Sequence, residues 1–445
     1  MKTIFKPFLL ISILQLIVIL YAIREGHIYT NDSKEYLTQA HNLLQHGSTY
    51  CGDYDSPLRD ESLYNRRPPG YAVFLILSSL FFSINILPLF VQGALSVFNI
   101  YIGYKILQEV FKGKPKLGLY LSFFIFFPSQ FIYAGVFMAE IPFQSALLLC
   151  LYFILRFEKS GNSTYFYIHH LFLALSYLIK PVTFFLWVAC ALYGITIKHN
   201  TGISQRLGLM SLAHVLLIGS FFLNNYFLTG IAEYSNISRK LLVNYTIPAV
   251  LTYSYGAEYA NNKTDSISRQ LAHQPYPVEC AMTDEYIRET FLTRPVDFII
   301  VQLSGVPRFF LESCRWDLEL LTSGKDAADT GPSLIHLYRL NGFSGIKKIT
   351  HQWSIVYLFY YILVVLATFL IVLLFIKGLF MKNIPRRYRW LFTGLILYLA
   401  ILTGPSASAR FRMPVFPIIA LVAFSALPGN KLNEATPAAL PEREN

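Results

Sequence analysis

Residues 7–44 read PFLLISILQLIVILYAIREGHIYTNDSKEYLTQAHNLL. The stretch from Pro7 to Ile23 carries no charge, and the polar stretch after it places an acid, Asp32, close behind. A helix needs about 20 apolar residues to cross a hydrocarbon core of roughly 30 Å, so 4–23 is expected to be a first spanning helix. Lys2 and Lys6 lie at its start, as in a signal peptide. The run is long for the apolar region of one, and no small-residue cleavage pattern follows. It is read as an uncleaved helix with its N-terminus in the cytoplasm.

The rest of the chain repeats this texture. It is 54% hydrophobic and only 14% charged over 445 residues, whereas a soluble domain is about 25% charged. Residues 117–139, 141–155 and 354–376 contain no Asp, Glu, Lys or Arg. An all-α polytopic integral membrane protein is expected, with spans at 4–23, 70–87, 89–111, 117–134, 137–156, 164–180, 181–197, 207–228, 353–377, 388–404 and 412–428, about 10–12 in all. The expected organisation is a transmembrane module at 1–228 with an external loop at 24–69. A large external segment with interfacial helices follows at 229–352, then transmembrane helices at 353–428 and a polar tail at 429–445.

The net charge of +11 belongs to short loops rather than to a nucleic-acid surface. KGKPK at 112–116, RFEK at 156–159, KHNTGISQR at 198–206 and KNIPRRYR at 382–389 are basic, and cytoplasmic loops collect Lys and Arg. Both long polar segments then lie outside. One parity problem remains: 70–87 and 89–111 are two apolar runs between an outside loop and an inside loop. A half-helix, or a break at Pro88, is expected there. Cys51, Cys280 and Cys314 fall in polar loops where a disulfide is possible. Cys150 and Cys190 fall in apolar runs as packing residues, and no zinc spacing links the five.

Polar groups at the ends of apolar runs carry the chemistry. In NDSKEYLTQAHNLL, Asp32, Tyr36 and Ala40 fall on one helical line, and Asn31 or Asp32 can cap the helix with Glu35 near the third position. Arg66 and Arg67 precede two prolines in YNRRPPGYAVFL, on the outer side, where cations are best matched by an anion such as a lipid phosphate. Glu140 sits between apolar runs in AGVFMAEIPFQSALLL, and acids in that setting are functional by default. Lys180 in LSYLIKPVTFFL, and Arg410 and Arg412 in GPSASARFRMPVFPIIALVA, complete the set on the same face. Two acids with a group of cations suit a phosphorylated substrate. The acid serves as general base, and the cations stabilise developing phosphate charge. DYD at 53–55 is a plain polar loop.

This set resembles the C-type superfamily of membrane glycosyltransferases, and within it the protein O-mannosyltransferase and lipid A aminoarabinose transferase group, glycosyltransferase family 39. The matching pieces, in the family's order, are NDSKEYLTQAHNLL, RRPPGYAVFLIL, AEIPFQSALL, LSYLIKPVTFFL, LNNYFLTG at 223–230 and RFRMPVFPIIAL, covering residues 30–425. The resemblance implies a glycosyltransferase C-type fold and an active site under the first external loop. It implies a polyprenyl-phosphate sugar donor and a lipid, glycan or protein acceptor, in the lipids of a bacterial inner membrane on its periplasmic face. Asp32 and Glu140 match the family's acids. Arg66, Arg67, Lys180, Arg410 and Arg412 would hold the phosphate, and Tyr36 and Tyr71 would position substrate. Two departures stand out. Asp32 is followed by Ser33 where relatives often have Glu. Arg66–Arg67 precede the prolines where relatives often have Glu-Lys or His, so the resemblance leaves a divalent metal open as a cofactor and assigns no residue to it. A transporter or flippase of a lipid-linked sugar, and a surface-polysaccharide polymerase or ligase, are the alternative readings. Transporters place charged or broken-helix sites near the bilayer midplane, and here the ionisable groups gather at helix ends on one side.

Overall fold

A computed structural model describes residues 2–80, 85–196, 203–272, 274–325 and 353–427, with single positions at 342, 344 and 350. The polar tail expected at 429–445, and the last part of the segment expected at 229–352, lie outside the described residues. Among the described residues the chain is all-α, with no strand. The helices are α1 (Lys2–Glu25), α2 (Asn31–His46), α3 (Gly70–Ser79), α4 (Leu87–Val110), α5 (Leu117–Ile125), α6 (Ser129–Ile132), α7 (Glu140–Ser160), α8 (Ser163–Ile179), α9 (Leu186–Thr196) and α10 (Ile203–Thr229). The long segment that follows holds α11 (Ile237–Leu241), α12 (Ile247–Tyr255), α13 (Ala257–Leu271), α14 (Tyr276–Thr293), α15 (Pro295–Leu311) and α16 (Arg315–Ser323). The chain ends with α17 (Ile355–Phe380), α18 (Arg386–Thr403), α19 (Ala409–Arg412) and α20 (Phe416–Phe424).

Five of these are long and apolar enough to cross a membrane: Lys6–Glu25, Leu87–Val110, Glu140–Ser160, Arg206–Thr229 and Ile355–Phe380. A sixth is reached if Leu117–Ile125 and Ser129–Gly135, bent by 81°, count as one. The expected 10–12 spans therefore do not all appear as long straight helices, and proline is the main reason. Pro128 lies at the 81° bend, Pro181 separates α8 from α9, and Pro414 and Pro417 break the last run into short turns. Each ring removes an N–H donor and clashes with the preceding turn.

The two apolar runs at 70–111 differ in length. α3 has 10 residues, or about 15 Å of rise, which is half a hydrocarbon core. The Tyr71 hydroxyl donates to Gln92 Oε1 at 2.6 Å, so the starts of α3 and α4 lie side by side, and of the two only α4 is long enough to cross a membrane.

The lipid-like character is legible on α17. Ile355, Val356, Phe359, Leu366, Phe369 and Leu370 are exposed along it, a continuous apolar face larger than water-soluble monomers tolerate. Inside the bundle the helices are joined by amides. Asn99 donates to Gln144 Oε1 at 2.9 Å, Gln144 donates to Gln130 Oε1 at 2.9 Å, and Gln144 also donates to the Met413 carbonyl at 2.7 Å. Polar side chains act as glue where no hydrophobic drive separates helix from lipid. This network ties α4, α6 and α7 to the turn after α19.

α7 works as a ruler between the two ends. At one end Glu109 binds Arg156 at 3.0 Å and Lys159 at 2.7 Å, Glu158 pairs with Arg387, and the Lys112 N–H donates to Asn383 O at 3.1 Å. The basic loops at 112–116, 156–159 and 382–389 thus meet at one end of the bundle, and Glu140 lies at the other.

α17 and α20 touch at Gly378. A Cβ there would clash with the Val422 carbonyl oxygen and lie 3.0 Å from Ser425 Oγ. Gly378→Ala is expected to cost about 1–3 kcal/mol through overpacking, read as a lower melting temperature of the detergent-solubilised protein. Gly394→Ala is the control: its Cβ meets nothing within 4 Å, and the loss of a helix-interior glycine should leave stability unchanged or slightly raised.

Candidate functional site

The first turn of α2 is set by Thr30 and Ser33 rather than by Asn31, Asp32 or Glu35. Thr30 is extended at φ −126°, and its N–H donates to Ser33 Oγ at 2.8 Å. That reciprocal arrangement is a capping box with Ser33 in the place expected for Glu35. Asp32 is consequently free of capping. Its loop is tied to the segment before α7 by the Phe137 N–H donating to Ile28 O at 3.0 Å and by stacking of Tyr29 on Phe137.

Asp32 accepts from two guanidinium groups, Arg67 Nη2 at 2.7 Å on Oδ1 and Arg410 Nη2 at 2.5 Å on Oδ2. Arg410 continues to Glu140, donating from Nε to Oε1 at 2.5 Å, and Lys180 Nζ donates to the same oxygen at 2.7 Å. One arginine therefore bridges two acids that are far apart in sequence. Lys180 reaches Glu140 because Pro181 follows it. A residue before proline is pushed out of helical geometry, so α8 stops at Ile179 and Lys180 is extended at φ −137°. Glu140 occupies the first turn of α7, where the helix dipole favours a negative charge. It is fully buried, and its second oxygen, Oε2, has no hydrogen-bond partner.

Arg67 is held on three sides. Glu35 Oε2 accepts from its Nε at 2.7 Å, its guanidinium lies 4.7 Å from the Tyr36 ring centroid, and Nη1 donates to Tyr36 Oη at 3.2 Å. Arg66 donates to the other oxygen of Glu35 at 2.9 Å. Tyr36 is edge-on to Tyr71 at 4.7 Å, and both are buried. Asp32, Glu140, Arg66, Arg67, Lys180, Arg410, Tyr36 and Tyr71 thus form one connected group. Within it Arg66, Arg67, Lys180 and Arg410 face Asp32, Glu35 and Glu140, which leaves one net positive charge. Burial pushes the Asp32 carboxyl up, but Arg410 and then Arg67 outweigh it and hold the group well below the usual carboxylate range.

Arg412 is not part of this group. It is buried, and its guanidinium donates to the carbonyls of Phe309 at 3.3 Å, Phe310, and Glu312 at 2.8 Å. Positions two apart on a helical turn face different ways, so Arg410 and Arg412 diverge. Asp53 and Asp55 lie in a loop where the Asp55 N–H donates to Asp53 Oδ1 at 3.2 Å, an ordinary turn. Among the described residues no disulfide forms, and Cys51, Cys280 and Cys314 are free thiols.

Two acids take roles that the sequence does not announce. Glu35 was assigned to a cap and instead holds Arg66 and Arg67. Asp317 lies on α16, with Oδ1 accepting from Tyr133 Oη at 2.7 Å and Oδ2 from Ser129 Oγ at 2.5 Å. Cys314, in the left-handed region at φ 61°, turns the chain from α15 into α16 and delivers Asp317 to the bundle. Burial, with Glu312 adding to it, pushes the Asp317 carboxyl up to about 6 against the two hydrogen bonds and Arg410. An amphipathic stretch in a long polar segment gives no sign that one of its acids turns inward.

One group of described residues could hold a metal, namely Cys150, His169 and Cys190. Cys150 is 10 residues along α7 from Glu140, about 15 Å by helical rise, so it stands apart from the charged group.

The Asp317 environment has a measurable sign. A folded-state value raised from 3.8 to about 6 means that ionisation costs stability, a cost absent below pH 4 and complete above pH 6. Asp317→Asn should therefore raise the melting temperature relative to wild type at pH 7.5 and lose that advantage at pH 4, as read by thermal unfolding in detergent at both pH values. No protein-family model matches the chain, and no curated protein matches it.

Proposed function

We propose that this chain is a membrane glycosyltransferase that moves a sugar from a polyprenyl-phosphate carrier to a hydroxyl of a lipid, glycan or protein acceptor, on the outer face of a bacterial inner membrane. The observation that carries the reading is Arg410 bridging Asp32 and Glu140, with Arg67 and Lys180 beside them. It is joined by the surplus positive charge of the cluster and by the ordered sequence pieces that resemble those of C-type glycosyltransferases.

The chemistry follows from competition for the cations. Without substrate, Asp32 is neutralised by Arg67 and Arg410 and is a weak base. A donor phosphate draws those guanidiniums into charge-assisted hydrogen bonds of its own. Asp32 then loses its partners, its proton affinity rises, and it accepts the proton of the acceptor hydroxyl. The acceptor oxygen bonds to the anomeric carbon while the bond from that carbon to the phosphate oxygen breaks, with inversion. Polyprenyl phosphate leaves, its charge held by Arg410, Arg67 and Lys180. Glu140 keeps Arg410 and Lys180 in place, and its unpartnered Oε2 is an acceptor for a substrate hydroxyl.

The test is mass spectrometry of lipids and surface glycans in a strain lacking the gene. A polyprenyl-phosphate sugar should accumulate and one glycan or lipid should lack a residue. An unchanged lipid and glycan profile would count against the proposal. Asp32→Asn and Glu140→Gln should each fail to restore the product, with transfer reduced about 100-fold or more. Wild-type transfer by both variants would remove these acids from the site. Arg410→Ala should mainly weaken donor binding, whereas Arg412→Ala should lower the melting temperature by stranding the carbonyls at the end of α15.

A further inference from the structure

We propose that Cys150, His169 and Cys190 form a binding site for a soft divalent metal ion, zinc by preference, within the helix bundle. The site is separate from the charged cluster and plays no part in the sugar transfer proposed above. The three residues come from α7, α8 and α9, and their ligand atoms all lie within 4.8 Å of one another. A tetrahedral zinc with Zn–S of about 2.3 Å and Zn–N of about 2.0 Å sets its ligand atoms roughly 3.5–3.8 Å apart. Closing onto an ion therefore needs only about 1 Å of side-chain adjustment.

The histidine already sits against one of the thiols. His169 Nδ1 lies 3.3 Å from Cys150 Sγ and 2.8 Å from the Cys150 carbonyl oxygen. The other ring nitrogen, Nε2, is buried without a hydrogen-bond partner, on a residue that is 1% exposed. An unpaired polar atom in an apolar bundle is a net cost, and turning the ring onto an ion would relieve it while the carbonyl holds the other nitrogen, the usual support of a metal-binding imidazole.

Charge selects the ion. Two thiolates and one neutral imidazole around a divalent cation make an electrically neutral complex, which an apolar interior tolerates where a bare charge is prohibitive. A monovalent copper ion on the same ligands would leave a buried negative charge. Thiolate donors favour zinc over magnesium or calcium. Binding is balanced by release of both thiol protons to solvent, with no change of oxidation state. Three protein ligands leave a fourth position for a water, and Cys190 is only partly buried. The ligand positions are 19 and 21 residues apart in the sequence, so no short metal motif announces them.

The experiment uses the full-length protein in detergent, stripped with chelator under reducing conditions and titrated with Zn2+ or Co2+. One metal per chain is expected by elemental analysis. Co2+ should produce a near-ultraviolet thiolate-to-cobalt charge-transfer band. Cys150→Ser, Cys190→Ser and His169→Ala should each weaken Co2+ binding about 100-fold or more, while Cys51→Ser and Cys280→Ser leave it unchanged. Folding of each variant is checked by its size-exclusion profile. Wild-type protein with both thiols reactive but no charge-transfer band would overturn the proposal. So would a band that survives in Cys150→Ser, or a Cys150–Cys190 disulfide as the species isolated without reductant.

Discussion

A guanidinium placed between two carboxylates organises this molecule. Arg410 meets Asp32 and Glu140 at 2.5 Å each, and Glu140 has no exposure at all. An ionised acid taken out of water is tolerated only when paired. The start of α2, the start of α7, the end of α8 and the turn before α20 must therefore converge to satisfy one another. Their convergence makes one charged cluster from segments far apart in sequence, in which each ion pair depends on the placement of the others.

The sequence made the helical, lipid-facing character plain because charge-free runs of 20 residues have few other uses. It did not yield the number of crossings. Hydropathy sees the ten residues of α3 and the long helix α4 as equivalent runs, and it cannot see the bend of 81° between 117 and 135. Length and proline position decide these cases, and both act through geometry rather than through mean polarity.

The site was legible where polarity was out of place. Glu140, Lys180, Arg67 and Arg410 each interrupt or border an apolar run, Asp32 follows the first run at a short distance, and the structure brings them together. Arg412 has the same appearance but sits across the turn from Arg410 and serves the backbone. Glu35 and Asp317 were hidden for the opposite reason: both lie in polar stretches where an acid is unremarked. The cap of α2 was misassigned because four neighbouring residues, Thr30 to Ser33, all have capping side chains, and only backbone geometry separates them.

The turn at α19 has a mechanical consequence. Arg412 grips the carbonyl end of α15, an amphipathic helix whose Val296, Ile299, Ile300 and Leu303 are exposed, while Arg410, two residues away, grips the acids. The four residues of α19 therefore hold the end of an exposed apolar helix and two acids at once, so a change in this one turn falls on both.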